Sequence, residues 1–336
     1  MTKIAINGLG RIGKLALRSF FDLGIDAEIV LLNDGQGDPE LHAHLLEFDT
    51  VHGRWRADFA FDDTSISVDG QKMRFTSTRD LAALPLRELG VDLVVDCTGA
   101  FKTNARLQPY FDQGVKKLVV SAPVKEADVA NIVYGVNDDV YDPEAHRVVT
   151  AASCTTNCIA PVVKVINEAL GIEQASFTTI HDVTNTQVIA DRVHKDARRA
   201  RSALNSLIPT TTGSAKAIIQ IFPELEGRID GHAVRVPLLN ASLTDIVFDV
   251  RRDTTTQEVN ALFEAAAQGP LEGILGYETR PLVSCDFTND DRSTIVDALS
   301  TRVINRRHVK VYAWYDNEWG YAWRLADITR MVLATL

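Results

Sequence analysis

Cysteine is scarce in this chain: of its 336 residues only Cys97, Cys154, Cys158 and Cys285 carry thiols. So few thiols do not make a disulfide scaffold, and C-x3-C without a partnering Cys/His pair is a poor zinc site, so no metal is expected. No low-complexity tract and no block of like charge is present, which excludes a disordered chain or a charged tail. No apolar run approaches the ~18 residues of a membrane span. A net charge of −10 argues against binding nucleic acid or anionic membrane over the whole surface. The opening MTKIAINGLGRIGK runs straight into a strand-like stretch, without the basic and apolar regions of a signal peptide, so a cytoplasmic protein is expected.

A hydrophobic content of 46% over this length suits two packed domains better than one. KIAIN (3–7) reads as a short strand and GLGRIG (8–13) follows at once. Ile12, Leu15, Ala16, Ser19, Phe20 and Leu23 then share a helical face that Gly24 ends. A second strand, EIVLLN (28–33), leads to Asp34, about twenty residues beyond Gly13. In that context the glycines take distinct roles. Gly8 makes the turn, Gly10 lets a pyrophosphate approach the backbone, Gly13 lets helix pack on strand, and the helix N-terminus offers N–H groups to phosphate. Asp34 would accept from the adenosine ribose hydroxyls and repel a 2′-phosphate, which favours NAD over NADP. Further strands are expected at DLVVD (92–96), KLVVS (117–121), IVYGV (132–136) and VVTA (148–151). Thr98, Gly99 and Ser121, at the carboxyl ends of two of these, would line the cofactor crevice.

Two of the few cysteines stand in SCTTNC (153–158), directly after VVTA and before the helical pattern of Ile159, Val162, Val163 and Ile166. Cys154 would then sit at a helix N-terminus, where free N–H groups and the helix dipole favour a thiolate. Cys158 would lie one turn inside and pack as a structural thiol. Pro161 should distort the first turns of this helix. Taken alone, Cys154 is either a buried structural thiol or a nucleophile. The nucleophile needs a base, and the next histidine, His181, closes the strand-like run ASFTTIH (175–181), a rigid position from which a ring can reach a site.

INGLGRIG, SCTTNC, HDVTNTQ, KDARRARSALNSLIPTTTG, AVRVP and YDNEWGYAWR, in that order and joined by FDTVHGRW and VVSAP, closely resemble phosphorylating glyceraldehyde-3-phosphate dehydrogenases from about residue 3 to 334. The resemblance implies an α/β fold. A Rossmann-type domain would cover 1–153 and 318–336, with Ala322, Leu325, Ile328 and Val332 on one face of its last helix. An α+β catalytic domain would cover 154–317, including the helix TQEVNALFEAAAQ capped by Thr255 with Glu258 three residues later. It implies Cys154 as nucleophile and His181 as base. Arg235 and Thr184 would hold the phosphate of the substrate, and Ser153, Thr155, Thr212, Gly213 and Arg199 the attacking phosphate. NAD would be held by Gly8, Gly10, Arg11, Ile12, Gly13, Asp34, Arg79, Thr98, Gly99 and Ser121, with Asn317 fixing the nicotinamide carboxamide and Tyr321 beside it. The partners implied are glyceraldehyde 3-phosphate and inorganic phosphate, with no membrane and no specific nucleic acid. A homotetramer is also implied, in which the loop of about 182–205 reaches a neighbour's cofactor.

The chain departs from the family's pattern at several positions. Asp182 follows His181 where serine or alanine is usual, Thr186 replaces an aspartate, Leu238 and Leu239 replace threonine-proline, and Val124 follows VVSAP. Arg192 and Val193 stand where NAD-specific members often have leucine-proline. Asp182 could raise the basicity of His181 or repel an anionic substrate. With NDGQGDPELHAHLLEFDTVHGRW these changes resemble a branch associated with arsenate resistance, in which arsenate replaces phosphate and a permease exports the unstable product. Erythrose-4-phosphate dehydrogenases share the cysteine and histidine but tend to lack the threonine-glycine of Thr212 and Gly213. Semialdehyde dehydrogenases lack AVRVP and YDNEWGY in this order. A non-catalytic NAD- or RNA-binding protein of the same fold is the remaining alternative.

Overall fold

The structure is a computed structural model and describes residues 1–336. The chain divides into two compact units, 1–153 with 321–336, and 154–320.

The first unit is built on β1 (Lys3–Asn7), α1 (Arg11–Asp22), β2 (Glu28–Asn33), α2 (Pro39–Glu47), β3 (Phe59–Asp62), β4 (Ser65–Val68), β5 (Gln71–Thr76), α3 (Leu86–Leu89), β6 (Leu93–Asp96), α4 (Asn104–Asp112), β7 (Lys117–Val120), β8 (Val129–Asn131) and β9 (Val148–Thr150). Its nine strands order as β3-β4-β5-β2-β1-β6-β7-β9-β8. All pairings from β5 to β8 are parallel, and β3 and β4 form an antiparallel edge. β6, β7 and β9 are buried along their whole length, as strands covered on both faces must be. The strand order reverses at β1, between β2 and β6, which opens a crevice beyond their carboxyl ends.

IVYGV is not a strand. The strand beside β9 lies just before it, at β8, and 132–136 leaves the sheet in a turn. Gly135 has φ +82 there, Val136 N–H donates to the Val133 carbonyl at 3.0 Å, and the Asn137 side chain accepts from Val133 N–H at 2.7 Å. A glycine in the left-handed region with an asparagine closing the turn overrides the β propensity of Ile132 and Val133.

The second unit holds α5 (Cys154–Leu170), β10 (Ile172–His181), β11 (Ile208–Thr211), α6 (Ser214–Ile221), β12 (Ile229–Arg235), β13 (Ser242–Val250), α7 (Thr256–Ala267), β14 (Leu275–Glu278), β15 (Thr294–Asp297), β16 (Arg302–Ile304) and β17 (His308–Tyr315). Its sheet runs β11-β12-β10-β13-β17-β15-β14, with β16 added on β17. β13 and β17 alternate buried and half-buried residues, the pattern of a sheet with one face on a core. α5 packs on that face, and it continues through Pro161 to Leu170 with Ile159, Val162, Val163 and Ile166 fully buried. Apolar burial on this scale, about 1.5–3 kcal/mol per side chain, offsets the hydrogen bond that Pro161 cannot make. Thr255 caps α7 by accepting from Glu258 N–H at 3.1 Å. The Glu258 carboxylate turns to Thr254 at 2.7 Å and Arg252 at 2.8 Å rather than back to the cap. The last helix, α8 (Trp319–Leu333), begins at the end of the second unit and continues in the first, where Ala322, Leu325, Ile328 and Val332 are fully buried.

The glycine loop after β1 sets the geometry of the first unit. A Cβ on Gly13 would lie 1.8 Å from the Gly8 carbonyl oxygen, whereas one on Gly10 would meet nothing within 4 Å. Gly13→Ala is therefore expected to cost about 1–3 kcal/mol by overpacking. Gly10→Ala should cost only about 0.5 kcal/mol as a poorer N-cap. Thermal melts of the ligand-free variants check this, and equal melting temperatures for the two would contradict it.

Candidate active site

Two groups of side chains have site character, one in each unit. In the first, Gly8 leaves β1 with φ +93, and α1 starts at Arg11 with no side chain capping its N-terminus. Its first N–H groups thus face the open space at Gly10, a fit for pyrophosphate. Asp34, directly after β2, accepts from Leu9 N–H through Oδ2 at 2.8 Å and from Gln36 N–H through Oδ1 at 3.1 Å. Those bonds fix the carboxylate and leave a lone pair on each oxygen for a ribose diol. Arg11 forks onto Asp49, while Ile12 occupies the next position of the helix. The Arg79 stem lies where a Cβ on Gly35 would be, 2.7 Å from Cγ. Thr98 donates to Asp96 Oδ1 through N–H at 2.9 Å and through Oγ1 at 2.7 Å, and Gly99 follows with φ +64. Ser121 N–H donates to the Asp96 carbonyl at 2.9 Å. Tyr321 donates from its hydroxyl to the Ala152 carbonyl at 3.3 Å. Ser153 closes the unit in sequence.

In the second unit Cys154 is the first residue of α5 and His181 the last of β10, and Cys154 Sγ lies 3.7 Å from His181 Nε2. The parallel register pairs His181 with Arg235 at the end of β12. Strand pairing alone therefore sets the guanidinium beside the imidazole. Three atoms approach the other ring nitrogen, Nδ1: Asp182 Oδ1 at 2.6 Å, Arg235 Nη1 at 2.6 Å and the Asp182 carbonyl oxygen at 3.0 Å. An ionised carboxylate can only accept and a guanidinium can only donate. The single Nδ1 proton therefore goes to Asp182, and Arg235 Nη1 donates to the Asp182 carbonyl at 2.9 Å.

His181 is buried, with its side chain 5% exposed. Burial opposes its charge, but the hydrogen bond to Asp182 and the pairing with Cys154 outweigh burial and the nearby Arg235, raising its pKa to about 9. Burial lowers the Arg235 pKa against the attraction of Cys154 and Asp182. Cys158 is fully buried, with Sγ 3.5 Å from Thr294 Oγ1 and 3.7 Å from Thr244 Oγ1, and burial pushes its thiol up to about 12.

The oxyanion candidates are spread around this pair. The Thr155 hydroxyl meets Tyr315 Oη at 3.0 Å. Arg199 donates to Thr210 Oγ1 from Nε at 2.9 Å and Nη2 at 2.6 Å. Thr212 and the N-cap Gly213 open α6, with Thr212 Oγ1 accepting from Ser214 N–H at 3.2 Å. Thr210, Thr211 and Thr212 line a cleft of about 580 Å³ with Arg198 and Asp196. Thr184 is exposed and bonded to Thr186 Oγ1 at 3.0 Å; no direct bond joins it to Arg235.

Asn317 donates from Nδ2 to Asp182 Oδ2 at 2.9 Å and accepts from Ser242 Oγ at 3.1 Å. Tyr315 and Ser242 were not singled out from sequence. The alternation of HVKVYAWY points Tyr315 to the same face as Val309, Val311 and Ala313, which was the available signal for the first. Ser242 carried none.

Residues 2–104 match the family described as "Glyceraldehyde 3-phosphate dehydrogenase, NAD binding domain", and residues 153–317 match "Glyceraldehyde 3-phosphate dehydrogenase, C-terminal domain". The chain is similar to glyceraldehyde-3-phosphate dehydrogenase 3 of Nostoc sp., with 55% identity covering 99% of each chain. It is 47% identical to glyceraldehyde-3-phosphate dehydrogenase 1 of Bacillus cereus, over 98% of this chain and 97% of that one. It is 48% identical to the plasmid-encoded glyceraldehyde-3-phosphate dehydrogenase of Cupriavidus necator, over 99% and 98%.

A thiol facing a protonated imidazole should outrun a buried one with its pKa near 12. With iodoacetamide at pH 7, peptide mapping is expected to find Cys154 modified at least ~10-fold faster than Cys158, and His181→Gln should remove most of that lead. Equal labelling of the two thiols would rule out the assignment.

Proposed function

The chain belongs to the glyceraldehyde-3-phosphate dehydrogenase family, and from that premise we propose the residue roles by which this NAD-dependent oxidoreductase works. The observation that carries them is the 3.7 Å approach of Cys154 Sγ to His181 Nε2, with Nδ1 committed to Asp182. Nε2 is then the one ring atom free to exchange a proton with sulfur and substrate.

The Cys154 thiolate attacks the aldehyde carbon, forming the C–S bond, and the carbonyl oxygen takes the proton of His181 Nε2. His181 withdraws that proton again as the carbonyl re-forms and the hydride leaves, giving a thioester on Cys154. NAD, when bound, accepts the hydride. Gly8, Gly10, Arg11, Ile12, Gly13, Asp34, Arg79, Thr98, Gly99 and Ser121 would hold it, with Asn317 and Tyr321 toward its carboxamide. The helix N-terminal N–H of Cys154 and the imidazolium stabilise the oxyanion. An oxygen of inorganic phosphate then attacks the thioester carbon, and the C–S bond breaks to return the thiolate beside His181.

Arg235 and Thr184 take the phosphate of the substrate; Ser153, Thr155, Thr212, Gly213 and Arg199 take the attacking one. Hydroxyls, N–H groups and a guanidinium suit an anion with several acceptor oxygens. We assign 1–153 with 318–336 to cofactor binding and 154–317 to catalysis.

The same reading makes the protein a cytoplasmic homotetramer. Ile189, Val193 and Leu204 support assembly, being 67–100% exposed in the loop of about 182–205. No helix is long and apolar enough to cross a membrane. Arsenate as physiological acceptor, with an exporter for the product, is supported by the departures at Thr186, Leu238 and Leu239. It needs little new chemistry, since the two oxyanions are near-isosteric.

NADH formation followed at 340 nm with glyceraldehyde 3-phosphate should require phosphate or arsenate, and Cys154→Ser should lower kcat at least ~10³-fold. Faster turnover of erythrose 4-phosphate without phosphate would reverse the choice of substrate. A strain lacking the gene should lose arsenate tolerance; loss of growth on glycolytic carbon alone would reject the arsenate role.

A further inference from the structure

Asp182 takes no part in the bond-making steps above, and its second carboxylate oxygen is not used by them. It is 1% exposed, yet its two carboxylate oxygens face different functional groups. Oδ1 meets His181 Nδ1 at 2.6 Å, and Oδ2 accepts from Asn317 Nδ2 at 2.9 Å. Ser242 closes the group: its hydroxyl lies 3.3 Å from Asp182 Oδ1 and 3.1 Å from Asn317 Oδ1, and it accepts from Asp182 N–H at 3.2 Å.

We propose that Asp182 is a positioning residue that locks the His181 ring and the Asn317 amide into one hydrogen-bonded unit behind the Cys154 thiol. The argument rests on the roles proposed above for His181 and Asn317, and on the fact that an ionised carboxylate is an acceptor on both sides. Toward His181 this fixes the tautomer, with Nδ1 protonated and Nε2 aimed at sulfur, and it stabilises the imidazolium that forms when Nε2 also carries a proton. Toward Asn317 it forbids the flipped amide, because a carbonyl oxygen facing the carboxylate would be repelled. Nδ2 therefore keeps one hydrogen, and Oδ1 one lone pair, for a ligand amide in a fixed order. Serine at this position would be too short to face both groups at once. The other charged and titratable groups around the ring are Cys154 on α5, Arg235 on β12 with Arg199 nearby, and Tyr315 on β17, whose own ionisation is suppressed by burial. Asp182 is the sole carboxylate among those acting on the ring.

Asp182→Asn separates the two functions because an amide has one acceptor end. Either its NH2 opposes the Nδ1 proton and forces the wrong tautomer, or it opposes Asn317 Nδ2 and flips that amide. The expected result is a kcat lower by roughly 10²-fold. The alkaline limit of rapid Cys154 alkylation should also fall from near pH 9 by one to two pH units, roughly the scale set by loss of one adjacent opposite charge. The Kd for NAD, measured by calorimetry on the intact protein, should rise several-fold. Asp182→Glu should restore part of the alkylation profile. Alkylation and NAD binding need no aldehyde, so they test Asp182 even if the parent proves inactive toward glyceraldehyde 3-phosphate, a result that would sink the functional reading instead. If Asp182→Asn does not fold, the parent alone decides by 15N NMR of its histidines. An Nδ1–H retained by His181 up to about pH 9 supports the proposal. A neutral ring with bare Nδ1 at pH 7, or a foldable Asp182→Asn with parental alkylation profile and NAD affinity, overturns it.

Discussion

The catalytic half of this molecule depends on a charge pair held almost without water: the Asp182 carboxylate against the His181 ring at 2.6 Å, 1% and 5% exposed at the side chain. Desolvating two ions costs several kcal/mol each, and their attraction repays this only when the remaining lone pairs and protons are also satisfied. Here they are. Asn317 donates to the second carboxylate oxygen and accepts from Ser242, Arg235 donates to the Asp182 carbonyl, and the far ring nitrogen meets sulfur. The arrangement is all-or-none, because loss of one partner leaves the other ion buried and alone, at about 3–5 kcal/mol. A group held that firmly keeps its proton at a defined atom, which proton transfer in two directions requires.

The scaffold delivers these groups through element ends. Cys154 opens a helix, His181 and Arg235 end adjacent parallel strands, and Thr212 and Gly213 precede another helix. In the first unit Gly8, Asp34, Thr98 and Ser121 likewise follow β1, β2, β6 and β7. Strand and helix ends combine rigid support with backbone groups that the ladder leaves open. The interior of each element meanwhile buries apolar side chains such as Val94, Val119, Ile246 and Phe248.

Much of this was legible in the sequence because it is local. The glycine loop, the apolar periodicity of α1 and α5, the cysteine at a helix start and the histidine at a strand end depend on spacings of a few residues, which fixed backbone geometry converts into placement. What spacing could not reach is pairing across distance. Nothing near His181 announces that β12 will lie parallel to β10 and align Arg235 with it, because that register follows from the whole sheet. The buried direction of Asp182 was equally hidden. Successive strand residues point to opposite faces, so a buried histidine argues for an exposed neighbour. The strand ends at His181, however, and the chain leaves the pleat with both side chains buried. IVYGV was misread for the converse reason: its β-branched residues suggested a strand, and one glycine with φ +82 decided otherwise.

The sequence left open whether a carboxylate beside the base would raise its basicity or repel an anionic substrate, and the geometry distinguishes the two. Repulsion at range requires a charge that a ligand can sense. Both Asp182 oxygens point away from solvent and face hydrogen-bond donors, with a protonated ring on one side and a guanidinium beside its carbonyl. In the reaction proposed above, the Cys154 thiolate, the Arg235 guanidinium, the His181 imidazolium and the Asp182 carboxylate sum to no net charge. Of the two cations, Arg235 is half-buried while His181 is buried. The carboxylate thus acts inward on the ring, where it raises the basicity of His181; under the roles proposed above, a substrate phosphate would meet the Arg235 guanidinium instead.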